Sequence, residues 1–496
     1  MVRARLWLVV LAVAALAAGG AAFMVGGSDE PPPRRVKARA TPPPLPPDQR
    51  FRSRPDLSPP AMEVTTLRPG TAPGLVFLAP KRRSGPLGPA ILDEQGRLLW
   101  FKPMQKGVVA DDLQVQRYRG ERVLTWWEGK TNPNGYGQGS WVLMDRSYRE
   151  IARVRAGNGL HGDLHDMQLT PRGTALITIY ERVPTDLSVI GSPRGGHAMD
   201  SVIQEVDVRS GRVVWEWRSM DHVEIWESKA VAPKTLKLPY DYFHINSIDE
   251  DTDGGLLVSA RNTWAIYKIA RPSGKVVWRL GGDRSDFALE PGLRFAWQHD
   301  ARRMPDGTIT LFDNEATPKV GDESRALVLE VDERRRTARV ARELTHPDRV
   351  LAIAEGNAQM LPGGAMLVGW GIGSRRGLSE LGPDGELLFD VRLPRNTDTY
   401  RAFRHRWTGR PAERPVAVAV RDGDQVRAYA SWNGATEVTR WELLAGDDPE
   451  ALRPVGAAER TGFETEVTAA TSAPYVAVRA LAGERELARS SAVRPG

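Results

Sequence analysis

Beyond an apolar start, the chain alternates apolar and polar residues in short runs broken by Gly, Asp and Pro. A period of two marks strands with one buried face, and apolar stripes of helical period are not evident there. The runs at 175–179, 256–259, 308–312 and 365–368 each follow a Gly-containing turn, at 171–173, 253–255, 305–307 and 362–364. Ahead of each turn stands a polar-led segment: His165-Asp166-Met167-Gln168, His244-Ile245-Asn246-Ser247, His299-Asp300-Ala301-Arg302 and Gly356-Asn357-Ala358-Gln359. An earlier copy begins Asp111-Asp112-Leu113-Gln114 and turns at Gly120. A second signature, a Gly turn entering a strand that ends in an aromatic residue, recurs from Gly96 to Trp100, Gly211 to Trp215, Gly274 to Trp278 and, more loosely, Gly385 to Phe389. Hairpins that repeat at intervals of about 40 to 80 residues, with one Gly turn and one aromatic anchor per unit, predict the blades of a β-propeller. The expected fold is therefore all-β, with about six blades between residues 61 and 408.

The two ends of the chain follow other patterns. From Leu6 to Gly27 runs an uncharged apolar stretch preceded by Arg3 and Arg5. As a helix it spans roughly 30 Å, enough for a bilayer core. Residues 1–27 are expected to form a transmembrane anchor with the N-terminus in the cytoplasm, or a cleaved signal peptide. Either leaves the bulk of the chain outside the cytoplasm, on a single-pass cell-membrane protein or, after signal cleavage, a secreted one. Residues 28–60 are rich in proline, including Pro31-Pro32-Pro33 and Pro42-Pro43-Pro44, and read as an extended linker. Short alternating runs return in 409–496, which is expected to be a β-sandwich similar to a fibronectin type III module.

Composition narrows the chemistry. The 496 residues contain no cysteine, which removes disulfides, thiolate metal sites and cysteine nucleophiles. The 68 basic and 62 acidic residues give a net charge of +6 without a long basic block, so no nucleic-acid partner is expected.

Three of the eight histidines, His165, His244 and His299, head equivalent repeat segments, where the other two copies carry Asp111 and Gly356. Equivalent positions in successive blades face one central funnel, so the three imidazoles are expected to converge. Arg261 ends the run that follows the His244 turn, and an antiparallel hairpin returns it to the edge where His244 begins. A guanidinium beside imidazoles suits a tetrahedral oxyanion such as sulfate or phosphate. Asn246 shares strand parity with His244 and reaches the same funnel. Trp264, Trp297, Trp126 and Phe243 either stack on an aryl ring or pack between blades. Asp166 and Asp300 are candidates to orient neighbouring imidazoles. Imidazoles and these aspartates could also bind a metal, but no His-x-His or His-x-x-x-His pair accompanies them, and no metal or cofactor is expected. His161, His197, His222, His346 and His405 share no register and receive no role.

The motifs His165-Asp166, Phe243-His244-Ile245-Asn246 with Arg261 downstream, and Trp297-Gln298-His299-Asp300 resemble the bacterial arylsulfate sulfotransferases, over about residues 70 to 400. The anchor, the proline linker, the C-terminal sandwich and the lack of cysteine are similar to a distant branch of that family. The resemblance implies a six-bladed propeller that moves a sulfuryl group from an aryl sulfate to a phenol, without phosphoadenosine phosphosulfate. It further implies that His299 is the nucleophile, transiently sulfated, and that His165, His244 and Arg261 bind the sulfuryl oxygens and serve the leaving phenolate. Asn246, Trp264 and Trp297 would then contact substrate. The alternative is a non-catalytic cell-surface propeller binding a glycan, peptide or anionic ligand. A third reading, a quinone dehydrogenase, is weakened by the few copies of its Gly-to-Trp turn and by the missing adjacent cysteine pair.

Overall fold

Each Gly turn singled out above joins two antiparallel strands in the computed structural model, which describes residues 48–82 and 87–496. The turns close because glycine adopts backbone angles that L side chains resist; Gly307, for example, sits at φ 90°. The expected anchor and the linker up to residue 47 lie outside the described residues. Among the described residues, no helix is long and apolar enough to cross a membrane.

Six sheets of four or five strands follow one another along the described chain, antiparallel except for the short edge strand Ala288–Leu289, and two of them are joined by the pair Gly139–Gly162. The inner strands of five of them are Val109–Tyr118, Gly162–Leu169, Ile245–Glu250, His299–Arg303 and Asn357–Met360. The sixth sheet closes the ring. Its inner strand, Thr397–His405, comes from the far end of the repeats and pairs with Leu75–Arg82 near their beginning. A second closure adds Glu63–Leu67 to the outer edge of the preceding sheet, beside Leu387–Arg392. Each inner strand touches its two neighbours in order around the ring, a propeller-like arrangement.

The polar residue just before each turn explains why the repeat carries one. Gln116, Gln168, Asp249 and Gln359 each accept a backbone N–H from the next inner strand, at Leu169, Glu250, Arg303 and Arg404, every bond 2.7 Å long. An inner strand packed between two others has no water for its free N–H groups, and these side chains satisfy them. Between adjacent sheets lie apolar clusters in which Trp126, Trp127, Trp141, Trp278 and Trp370 are fully buried. Trp126 and Phe243 belong to these clusters, so both are packing residues.

Residues 416–489 form two facing sheets of three and four strands around Val426, Trp441, Leu443, Val467 and Val478. They join the ring through backbone bonds such as Gly434 N–H to Leu99 O, and through the Tyr148 hydroxyl donating to Gly434 O. Residues 48–60, read from the sequence as the end of the linker, belong to this packed body. Ser53 bonds Ser431 and Glu464, Phe51 stacks on Phe463, and Leu57 is buried. Composition alone hides this, because the contacts are made with residues some 400 positions away.

Candidate active site

The hairpins fix the register of the inner strands. Four residues before the last paired residue, which is Leu169, Glu250, Arg303 or Met360, stand His165, Asn246, His299 and Gly356. Asn246, and not His244, is thus the counterpart of the other two histidines. His244 lies two residues earlier, at φ 57° in the left-handed region, as its counterpart Trp297 does at 59°. The expectation of a common histidine register fails for this reason. The imidazoles converge despite the shift.

The rings of His165 and His244 meet edge to face with centroids 4.9 Å apart. Arg261, His244 and His165 all act electrostatically on His299, so the four side chains share one funnel. His244 and Arg261 are tied together locally. The N–H of Arg261 donates to His244 O at 2.9 Å, and the side-chain amide of Asn262 donates to Asp241 O at 2.6 Å.

Every imidazole is held by its Nδ1. The partners are Asp163 for His165, Asp241 for His244 at 2.5 Å, and Asn314 for His299 at 2.6 Å. In a neutral ring an oxygen acceptor at Nδ1 puts the proton there and leaves Nε2 with its lone pair. The three partners are not alike. Two are carboxylates, which stabilise an imidazolium, whereas Asn314 is neutral and has its own amide fixed on Ala352 O and Glu355 O. Burial and the charge of Arg261 hold the His299 pKa well below the ordinary histidine value, with Asn314 opposing only in part. For His244, burial outweighs the opposing Asp241 and holds the pKa below the ordinary histidine value.

Arg261 is drawn down to about 10 by burial, with Asp241 and Tyr180 opposing. Among the described residues no carboxylate lies within ion-pair range of it. Its guanidinium bonds Asn262 and Thr317 O and lies 4.7 Å from the centre of the Trp297 ring. A cation already desolvated and still short of a counter-ion is disposed to receive an anion. Trp297 is buried and anchored on Pro318 O, and half-buried Trp264 packs edge-on against it at 5.1 Å. Asn246 is fully buried, its amide donating to Gln298 O at 2.7 Å, and so links two sheets.

The sequence reading passed over Tyr180, Tyr400, Asn314, Asp163 and Asp241. Tyr180, Arg261 and Asn314 share a register, each five residues beyond the first paired residue of the second strand. The hairpin argument that located Arg261 therefore also locates the other two. Tyr180 packs 5.2 Å from His165 and 5.6 Å from His244. Asp166 and Asp300 do not orient the imidazoles. They point the other way, into a fully buried group where Arg401 contacts Asp112, Asp166 and Asp300, and Arg302 binds Asp166 and Asp300. Among the described residues, no three His, Asp or Glu side chains are disposed to hold a metal ion.

The fold is similar, at low identity, to a protein of unknown function from Bacteroides caccae, with TM-score 0.41 and 14% identity over 67% of this chain and 100% of that one. It is also similar to TolB from Acinetobacter baumannii, with TM-score 0.37 and 14% identity over 67% and 68% of the two chains. Virginiamycin B lyase from Staphylococcus aureus gives TM-score 0.33 and 10% identity over 74% and 95%. No curated protein matches the chain. The family model described as arylsulfotransferase (ASST) matches residues 114–393, more than half of the sequence and the stretch that carries His165, His244, Arg261 and His299, and the chain belongs to that family.

Proposed function

We propose that the protein transfers a sulfuryl group from an aryl sulfate to a phenol through a sulfated His299. The supporting observation is the split in Nδ1 partners: an amide on His299 and carboxylates on His165 and His244. The amide-backed imidazole is the nucleophile, and the carboxylate behind each of the other two supports the imidazolium that proton transfer would form.

Nε2 of His299 attacks sulfur as the sulfur–aryloxide bond breaks. The ring keeps its Nδ1 proton on Asn314, and the sulfuryl oxygens bind Arg261. The aryloxide leaves with the bonding pair and takes a proton from Nε2 of His165 or His244, whose positive charge Asp163 or Asp241 has supported. In the second half the acceptor phenol returns a proton to that same nitrogen. Its oxygen attacks sulfur, and the nitrogen–sulfur bond breaks to restore neutral His299. Trp264 and Trp297 are proposed to flank the aryl ring, with Asn246 holding the two sheets beneath it. No cofactor enters this scheme.

In this reading the six sheets are the blades of a propeller, and residues 409–496 are a fibronectin type III-like sandwich. Residues 1–27 anchor or export the chain, so the reaction takes place outside the cytoplasm.

The test is steady-state kinetics with p-nitrophenyl sulfate and phenol. A transfer through the enzyme gives parallel double-reciprocal lines as the acceptor is varied. Intersecting lines, or no nitrophenol release with a range of aryl sulfates, would remove the proposal.

A further inference from the structure

Lys81, Asp111 and Glu355 form a second charged cluster. Lys81 Nζ lies 2.9 Å from Asp111 Oδ1 and 2.8 Å from Glu355 Oε1, and the charge of Asp398 acts on all three. This group adjoins the histidines. The Lys81 ammonium sits 5.5 Å from the centre of the Tyr400 ring, whose edge meets His165 at 5.7 Å, and Asp111 is close enough to act on the His165 charge. On the other flank, the backbone carbonyl of Glu355 accepts from Asn314, the residue that holds His299.

Two features make the group more than a structural ion pair. Asp111 is fully buried, yet its Oδ2 has no hydrogen-bond partner, and Glu355 Oε2 is likewise buried and unpartnered. A buried carboxylate oxygen without a donor is costly, and here two stand beside a single ammonium. Among the described residues, Lys81 is the one cation in ion-pair contact with these two carboxyls. Burial, with Asp398 and Asp111 adding to it, pushes the Glu355 carboxyl up to about 8 against the pull of Lys81. An entering cation would relieve both. An ammonium, with three N–H donors and no acceptor, matches two unpartnered carboxylate oxygens.

We propose that Asp111 and Glu355 form a subsite for a protonated amine on the acceptor, so that the preferred acceptor is a phenolic amine lying with its ammonium on these carboxylates and its hydroxyl toward His299. The proposal rests on the sulfuryl-transfer reading. It sorts the charges of the two substrates, with the sulfate on Arg261 and the ammonium on Asp111 and Glu355.

The test compares tyramine, 4-ethylphenol and 4-hydroxyphenylacetate as acceptors from p-nitrophenyl sulfate, using the full chain near neutral pH. The three share a phenol and differ in the charge of the tail. The expected order of kcat/KM is tyramine, ethylphenol, hydroxyphenylacetate, with tyramine ahead of ethylphenol by about tenfold or more, the worth of one charge-assisted contact. Glu355→Gln and Asp111→Asn, nearly isosteric changes that keep an acceptor for Lys81, should each shrink that ratio to about threefold or less. Equal rates for tyramine and ethylphenol in the unaltered protein, or an undiminished ratio in both variants, would overturn the subsite.

Calorimetry of tyramine binding without a donor separates this proposal from the reaction it rests on. Binding that weakens in both variants while no sulfuryl transfer occurs would retain the subsite and remove the transfer. Transfer without a tyramine preference would do the reverse.

Discussion

The imidazole of His299 donates its Nδ1 proton to the side-chain oxygen of Asn314 at 2.6 Å, whereas His165 and His244 donate to aspartates. A neutral acceptor orients the ring without making it basic, which suits a nucleophile more than a proton carrier. Asn314→Asp should convert His299 to the other kind. A carboxylate at that distance raises an imidazole pKa by about 1 to 3 units. Single-turnover release of nitrophenol should then fail at a correspondingly higher pH on the acid side than in the unaltered protein.

The unaltered protein should keep its first half-reaction well into acid. Neutral His299 is the reactive form, and burial together with Arg261 lowers its pKa. Lowering the pKa of a base extends its neutral form downward in pH. The burst rate should therefore be flat through about 6.5, the ordinary histidine value, and fall only below it. A burst that halves at or above that value would show that His299 is not held neutral in this way.

Arg261 combines a charge, a planar fork and a stacking surface on Trp297. Arg261→Lys keeps only the charge. Both Arg261→Lys and Arg261→Ala should lower kcat/KM for p-nitrophenyl sulfate, the alanine variant by about a hundredfold or more, as for the loss of a donor to a developing charge. The check is whether lysine recovers much of that loss. Full recovery would mean that the fork and the stacking on Trp297 do not matter.

Arg401 serves stability. It is fully buried among Asp112, Asp166 and Asp300, and Asp112 is already pushed up to about 7 by burial, with Arg401 opposing. Arg401→Met leaves these carboxylates without their main cation, which should cost about 3 to 5 kcal/mol. The loss should grow as pH rises through 7, because without Arg401 the folded variant holds Asp112 protonated to higher pH than the unaltered protein does, while the unfolded chain releases that proton. Denaturant unfolding on either side of neutrality measures both the size and the sign.

The hairpin repeat was legible because it is local. A Gly turn, a polar residue before it and an aromatic after it lie within a few residues of one another, and together they describe each sheet. Arg261 was legible for the same reason, since a hairpin returns the far end of its second strand to the first. Tyr180 and Asn314 follow from the identical rule. The register of His244 was not readable, because only the paired residues Glu250 and Leu256 show that Asn246 takes the position of His165 and His299. The second charged cluster was hidden by distance along the chain. Lys81, Glu355 and Tyr400 meet only once the ring closes through strand Thr397–His405, and no local pattern reports a contact between residues some 300 positions apart.

The most direct measurement is the intact mass of the protein, unaltered and as His299→Ala, after mixing with p-nitrophenyl sulfate in the absence of acceptor. The account predicts a gain of one SO₃ group in the unaltered protein alone, discharged when phenol is added. An adduct of the same mass in His299→Ala, or transfer to phenol with no adduct formed at any time, would contradict it.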